Sequence, residues 1–285
     1  MTDSDQSLPG KHAQGAVAFQ GERGAYSEAA VHAFFAPDIP VKPFRTLSEV
    51  FSSVEEASVK SAVVPIENSL EGAVNETYDL LLTTGVRVCG EVNLRIVHCL
   101  ISRPETSFKE VKVVYSHPQA LAQCRRFIET YRLEPKPVYD TAGSVIMLKK
   151  TDKSAAAIAS LHAAKIYGMK VLKRGIEDSH SNYTRFFVLG MKDSPRGGAD
   201  KTSIIFSAKH VPGSLYRILG EFASRKINLT KIESRPTRKT PWEYVFYVDF
   251  EGHRTDRLCE EALREVRTRA LFLKVIGSYP KAGPI

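Results

Sequence analysis

From Ala16 to about Met191, short apolar runs alternate with segments of helical period, and each run ends in a turn rich in glycine, serine or proline. Ala16–Gln20 reads as a strand, followed by a glycine turn and a helix over Tyr26–Phe35, with Ser27 and Glu28 supplying the hydroxyl and acid that suit a helix start. Ser61–Ile66 reads as a second, buried strand that ends where Pro65 removes a backbone donor. Val111–Tyr115 is a third, and Ser116-His117-Pro118 then opens a helix over Gln119–Tyr131, since proline fits the first helical turn. Alternation of this kind leaves few choices beyond an α/β architecture with a largely parallel sheet. The long segment Val86–Ser102, which lacks a helix, is the expected crossing between two lobes.

Past Met191 the pattern changes. The polar stretch Lys192–Asp200, with Pro195, Gly197 and Gly198, reads as a linker that occupies residues 192–201. Strands over Thr202–Ala208, Asn228–Ser234, Glu243–Phe250 and Phe272–Ser278 then alternate with helices over Ser214–Arg225 and Asp256–Thr268. That βαββαβ order specifies a ferredoxin-like unit across residues 202–280. A chain of 285 residues accommodates two such domains. Residues 1–15 are polar and broken by Pro9, Gly10 and Gly15, so they read as a disordered tail and not a secretion signal.

The net charge is +8, but basic residues are interleaved with acids, as in Glu260–Glu265. This fits solvated helix faces, and attraction of a small polyanion, better than a nucleic-acid surface. Cys89, Cys99, Cys124 and Cys259 form no CxxC pair and sit in apolar or helical surroundings, which suits inert thiols in a reducing cytosol. No run approaches the ~18 apolar residues of a membrane span. Neither a nucleic-acid nor a membrane partner is expected.

Four strand-end turns carry the polar groups that an anion-binding cleft needs, because ligands of α/β sheets bind outside the carboxyl ends of the strands. Gly21–Glu28 holds Ser27, Val64–Gly72 holds Glu67, Asn68 and Ser69, Ser116–Leu121 holds Ser116 and His117, and Asp140–Ser144 holds Thr141 and Ser144. Taken singly, each turn could merely cap its helix. A fifth string, Asn182–Leu189, places a hydroxyl (Thr184) beside a guanidinium (Arg185) where an apolar strand begins. Adjacent strand residues point to opposite faces, so these two share a pocket only at a strand end or bulge.

In this order the GxxGxYSE, VPIENSxEG, SHPQAL and NYTRF strings resemble the prephenate dehydratase family from about Ala16 to Met191, NYTRF being that family's catalytic signature. The unit over 202–280 resembles the ACT regulatory domain through Val211–Tyr216 and Ile232–Pro236, with Ser214 where alanine is usual. The Asp140–Ser144 loop is similar to that of plant arogenate dehydratases, so prephenate and its amino counterpart both stand as substrates.

The resemblance implies an α/β fold: a bilobal, periplasmic-binding-protein-like catalytic domain over 16–191, followed by the ferredoxin-like ACT domain. It implies decarboxylative dehydration of prephenate to phenylpyruvate in phenylalanine biosynthesis, with no cofactor and no metal. Thr184 is then a donor or relay to the leaving hydroxyl, Arg185 either a carboxylate clamp or the partner of a structural acid, and Glu67 or His117 a support for proton transfer. Ser27, Asn68, Ser69, Ser116, His117, Thr141, Ser144, Asn182 and Phe186 are the candidate substrate contacts. Effector L-phenylalanine is expected at Pro212, Gly213, Ser214 and Leu215 together with Glu233, Ser234, Arg235 and Pro236, between subunits of a homodimer or homotetramer. The expected location is cytoplasmic, or a plastid for a trimmed chain. The other class left open is a non-catalytic small-molecule or RNA-binding protein. Against RNA, Glu243–Phe250 has aromatics but lacks the basic-glycine-aromatic pattern of an RNA-recognition strand.

Overall fold

The computed structural model describes residues 15–237 and 244–283. The expected tail, apart from Gly15, and the strand residue Glu243 lie outside the described residues. The first lobe comprises β1 (Val17–Gln20), α1 (Tyr26–Phe34), β2 (Val41–Phe44), α2 (Leu47–Glu55), β3 (Ser61–Asn68), β4 (Gly72–Ala73), α3 (Asn75–Thr83) and β5 (Arg87–Arg95). The chain then crosses to a second lobe of β6 (Cys99–Ser102), β7 (Val113–Ser116), α4 (Pro118–Gln123), α5 (Arg125–Thr130), β8 (Glu134–Pro137), α6 (Thr141–Met147), β9 (Ala155–Ala159), α7 (Leu161–Ile166) and β10 (Lys170–Arg174). It returns as β11 (Tyr183–Gly190), which inserts between β3 and β5 of the first lobe. The last unit is β12 (Asp200–Ala208), α8 (Ser214–Ala223), β13 (Leu229–Pro236), β14 (Tyr244–Glu251), α9 (Arg257–Arg269) and β15 (Ala270–Pro280).

The lobe sheets run β2-β1-β3-β11-β5 and β10-β6-β9-β7-β8, and the third sheet β13-β14-β12-β15. The expectation of largely parallel sheets needs correction. β1, β2 and β3 are parallel, but β11 is antiparallel to both β3 and β5, because the chain re-enters the first lobe from the opposite end. The central strands are apolar throughout because both faces are covered. In β11, Phe186 and Val188 pack toward α1, whereas Phe187 and Leu189 join the core shared with α2, α3 and the third sheet. In β9, the even residues Ala156 and Ile158 face one helix layer and Ala155, Ala157 and Ala159 the other.

Two local expectations change. β3 does not end at Pro65 but continues to Asn68; the register against β11 slips between Pro65 and Glu67, and this bulge accommodates the residue that lacks an N–H. The helix expected over Gln119–Tyr131 breaks at Cys124, whose φ is −115°. Asp178 fills the break: its N–H donates to Gln123 O at 2.7 Å and its carboxylate accepts from Arg126 N at 3.2 Å. The break leaves Gln123 as the terminal residue of α4, where it reaches the other lobe.

One face of the third sheet is covered by α8 and α9, and the other packs on the first lobe, so that Ile205, Val245, Tyr247, Ile276 and Tyr279 share a core with Leu81, Val88 and Phe187. Gly277 makes this docking possible, since a Cβ there would lie 2.0 Å from Val88 O. Lys274 Nζ donates to Leu81, Leu82 and Thr84 carbonyls at 2.5–3.1 Å, closing the C-terminal end of α3. The four cysteines are free, and burial pushes the Cys89 thiol up to about 12 and the Cys259 thiol up to about 11. Among the described residues no helix is long and apolar enough to cross a membrane.

Candidate active site

Register decides which way the signature residues face. On β3 and β11, Thr184 pairs with Asn68 and Arg185 with Glu67. Alternation therefore puts Thr184 and Asn68 on one face and Arg185 and Glu67 on the other.

The Thr184 face meets the second lobe. Asn68 Nδ2 donates to Thr184 Oγ1 at 2.9 Å and to Asn182 Oδ1 at 2.8 Å, while Asn68 Oδ1 accepts from the Leu70 and Glu71 amides at 2.9 and 3.2 Å. Those backbone donors fix the orientation of the amide, and its hydrogen-bonding capacity is filled. Because Thr184 Oγ1 accepts from Asn68, its own proton is free to point elsewhere. Asn182, 1% exposed, donates through Nδ2 to Gln123 Oε1 at 2.9 Å. Gln123 Oε1 also meets His98 Nε2 at 2.9 Å, and His98 Nδ1 meets the Tyr26 hydroxyl at 2.8 Å. Burial holds His98 below its ordinary range against the opposing pulls of Gln123 and Glu177, so the ring is neutral. Gln123 Oε1 can only accept, which assigns the ring proton to Nε2, and Nδ1 shares the single Tyr26 hydroxyl proton with Val97 O, 3.0 Å from that hydroxyl. A continuous chain Thr184–Asn68–Asn182–Gln123–His98–Tyr26 thus spans both lobes.

The Arg185 face meets the third sheet. Arg185 Nε and Nη2 bind Glu91 Oε2 at 2.7 and 2.6 Å, and Nη1 lies 3.0 Å from Glu67 Oε1 and 2.7 Å from Asp249 Oδ2. Nη2 also donates to Tyr279 Oη at 3.2 Å. Lys231 binds Glu67, and Lys201 Nζ lies 3.1 Å from both Glu91 oxygens. Burial alone would raise the Glu67 carboxyl, but Lys231 and Arg185 outweigh it and hold it below the usual range. One expectation is corrected: Glu67 is an ion-paired carboxylate, held charged by Lys231 and Arg185 and so without a proton to give. Arg185 is paired with buried acids, the second of the two roles expected for it.

Other candidates are also committed elsewhere. Ser116 Oγ donates to Ile158 O at 2.6 Å, Ser144 Oγ to Thr141 O at 2.6 Å, and Ser69 Oγ to Ser181 O at 2.6 Å, so none has a free hydroxyl proton for substrate. His117 is the N-cap of α4, its Nδ1 accepting from Gln119 N at 3.3 Å. Phe186 is 2% exposed, in the core under α1. Ser27 and Thr141 stand in the first turns of α1 and α6, outside the hydrogen-bonded chain. Tyr26, His98 and Gln123 were not singled out from the sequence. Gln123 carried one signal, being a helical turn beyond Gln119 of the SHPQAL string.

In the last unit an open cavity of about 1170 Å³ is lined by Pro212, Gly213, Ser214 and Leu215, and also by Leu82 and Thr83 at the end of α3. Gly213, with φ 76°, is in the left-handed conformation that favours glycine and forms the N-cap of α8. The second half of the expected effector site does not line this cavity. Arg235 binds Asn75 and lies 3.6 Å from Asp79, while Glu233, Ser234 and Pro236 share its strand, β13, at the edge of the sheet.

Residues 17–194 match the family described as prephenate dehydratase and residues 202–268 the ACT domain. A bifunctional chorismate mutase/prephenate dehydratase of Aquifex aeolicus is 41% identical over 93% of this chain and 74% of its own length. An arogenate dehydratase/prephenate dehydratase of Arabidopsis thaliana is 43% identical over 93% and 72%. Among solved structures, a prephenate dehydratase of Arthrobacter aurescens in complex with L-Phe superposes with TM-score 0.86 at 32% identity, covering 93% of this chain and 90% of that one. A quorum-quenching acylase named GqqA superposes with TM-score 0.87 at 32% identity, covering 94% and 98%. With the family model matched over residues 17–194 and relatives above 40% identical along 93% of its length, the chain belongs to the prephenate dehydratase family.

Proposed function

We propose that the protein converts prephenate to phenylpyruvate, carbon dioxide and water, with the Thr184 hydroxyl as hydrogen-bond donor to the leaving oxygen. Cleavage of the bond to the ring carboxylate supplies the electron pair that aromatises the ring and expels hydroxide, which takes a proton from solvent to leave as water. Aromatisation drives the reaction, so neither redox cofactor nor base is required. The observation that carries the reading is the filled amide of Asn68, which occupies a Thr184 lone pair and leaves the Thr184 proton for the substrate. A threonine hydroxyl is too weak an acid to ionise, so it acts by stabilising charge that develops on the departing oxygen. Asn182, Gln123 and His98 hold the donor in place from the second lobe.

L-Phenylalanine is the proposed effector of the cavity at Pro212–Leu215, where the Gly213 turn opens α8 and the positive end of the helix suits a carboxylate. The segment Glu233–Pro236 would complete the site from a second subunit, which requires a homo-oligomer. Leu82 and Thr83 line the same cavity, and α3 leads from them back to the turn that carries Asn68, a contiguous route between the sites.

Phenylpyruvate formation from prephenate by the purified chain tests the reaction, and turnover of neither prephenate nor arogenate would reject it. Arogenate is the second substrate to assay, because the Arabidopsis relative is named for both activities. Calorimetry with L-phenylalanine on the wild type and Gly213→Val tests the effector site. Equal binding by both would place the ligand elsewhere.

A further inference from the structure

Outside the Thr184 chain, one group of metal-ligating side chains comes together among the described residues: Glu28, His32 and His162. Glu28 and His32 lie four residues apart on α1, hence on one face, and His162 comes from α7 of the other lobe. His32 Nε2 is 3.7 Å from Glu28 Oε1, His162 Nε2 is 3.7 Å from Glu28 Oε2, and the three ligand atoms all lie within 4.8 Å of one another. These separations are too long for hydrogen bonds, and His162 Nε2 is buried without a hydrogen-bond partner. They suit an ion placed between the groups, since zinc sits about 2.0–2.2 Å from histidine nitrogen and carboxylate oxygen.

We propose that Glu28, His32 and His162 form a site for a divalent ion of the zinc class that pins the two lobes together. The donor set, two imidazoles and one carboxylate, favours zinc, cobalt or nickel over magnesium or calcium. The Glu28 side chain is fully buried, while those of His32 and His162 remain 21% and 34% exposed, which gives an ion and its remaining water ligands access. The surroundings already hold the lobes in register: Ser160 Oγ donates to Gly24 O and Tyr167 Oη to Arg23 O, each at 2.7 Å. Gly24 packs so closely on Ala163 that a Cβ would lie 2.7 Å from its Cα. Arg23, whose Nε is 2.7 Å from Glu28 Oε1, occupies the carboxylate without the ion. Its side chain is half exposed, so it can turn to solvent when the ion binds. The ion's part is structural, and the reaction proposed above draws on other residues.

The test uses the full chain, stripped of metal with a chelator, and titrates Zn²⁺ by calorimetry and Co²⁺ by visible absorption. The wild type is expected to bind one ion and to melt at higher temperature with it. His32→Ala and His162→Ala should each weaken binding by at least about 10-fold and lose the shift in melting temperature. Both histidines are partly exposed, so these variants fold where a change at Glu28, which also holds the Gly24 amide, need not. His162→Gln, which keeps bulk and polarity but not the ligand, should behave as His162→Ala does. No binding by the wild type, or wild-type affinity in the histidine variants, would overturn the proposal.

Discussion

Arg185 belongs to the catalytic signature by sequence and to the domain junction by structure, and Arg185→Met separates the two roles. The guanidinium is shared by three carboxylates, Glu67, Glu91 and Asp249, which Lys201 and Lys231 also help to neutralise. After the substitution Glu91 keeps Lys201 and Glu67 keeps Lys231, but Asp249 keeps only the Ser203 hydroxyl at 2.5 Å. Asp249 and Glu91 have side chains 6% and 2% exposed, so solvent cannot compensate. Removing one partner of such a buried pair costs about 3–5 kcal/mol. Urea unfolding of Arg185→Met should show that loss, and adding Asp249→Asn should recover on the order of 1–2 kcal/mol, since the stranded charge is then gone. The protein that remains folded should keep a kcat well above that of Thr184→Ala. A fully stable Arg185→Met without turnover would refute the assignment and return the guanidinium to the cleft.

Three further outcomes follow from the geometry. Thr184→Ala should lower kcat by about 10²–10³-fold without loss of stability, and Thr184→Ser should retain much of the rate, as steady-state kinetics would register. Because burial depresses His98 below its ordinary 6.5, its contribution to stability is fully present above that value and is lost as pH falls through the folded-state pKa. The unfolding free energy should therefore drop more steeply from neutral pH to about pH 5 in the wild type than in His98→Gln, and equal slopes would contradict the neutral-ring assignment. Gly277→Ala, whose Cβ meets Val88 O, should cost about 1–3 kcal/mol by forcing β15 away from β5, measurable as a lower melting temperature.

Much of the layout was legible because it rests on local chemistry. Alternating apolar periods marked the strands, and the Asp140–Ser144 turn, which the sequence allows as a helix cap, does open α6 through the Asp140 side chain. The direction of β11 was not legible, because antiparallel insertion between β3 and β5 is decided by where the second lobe returns the chain. The period of two left Thr184 and Arg185 a shared pocket only at a strand end or bulge, and only the third sheet revealed what awaits Arg185, since Asp249 and Tyr279 lie far along the chain. Ser69, Ser116 and Ser144 illustrate the converse problem. A hydroxyl in a conspicuous string reads as a substrate donor until its backbone acceptor is seen. Gln123 and His98 act through contacts between lobes, and beyond the spacing of Gln123 from Gln119 no local pattern points to them.

In the proposed reaction Asn68 aims the Thr184 proton at the leaving oxygen. Asn68→Asp replaces the donor at Thr184 Oγ1 with an acceptor, so the hydroxyl should turn its proton toward the carboxylate and away from substrate. The decisive measurement is kcat for prephenate in the cycle of wild type, Asn68→Asp, Thr184→Ala and the double variant. Each single change should lower kcat by about 10²–10³-fold, and the double variant should be little slower than either. Losses that multiply in the double variant, or near wild-type turnover by Asn68→Asp, would contradict this role of Asn68.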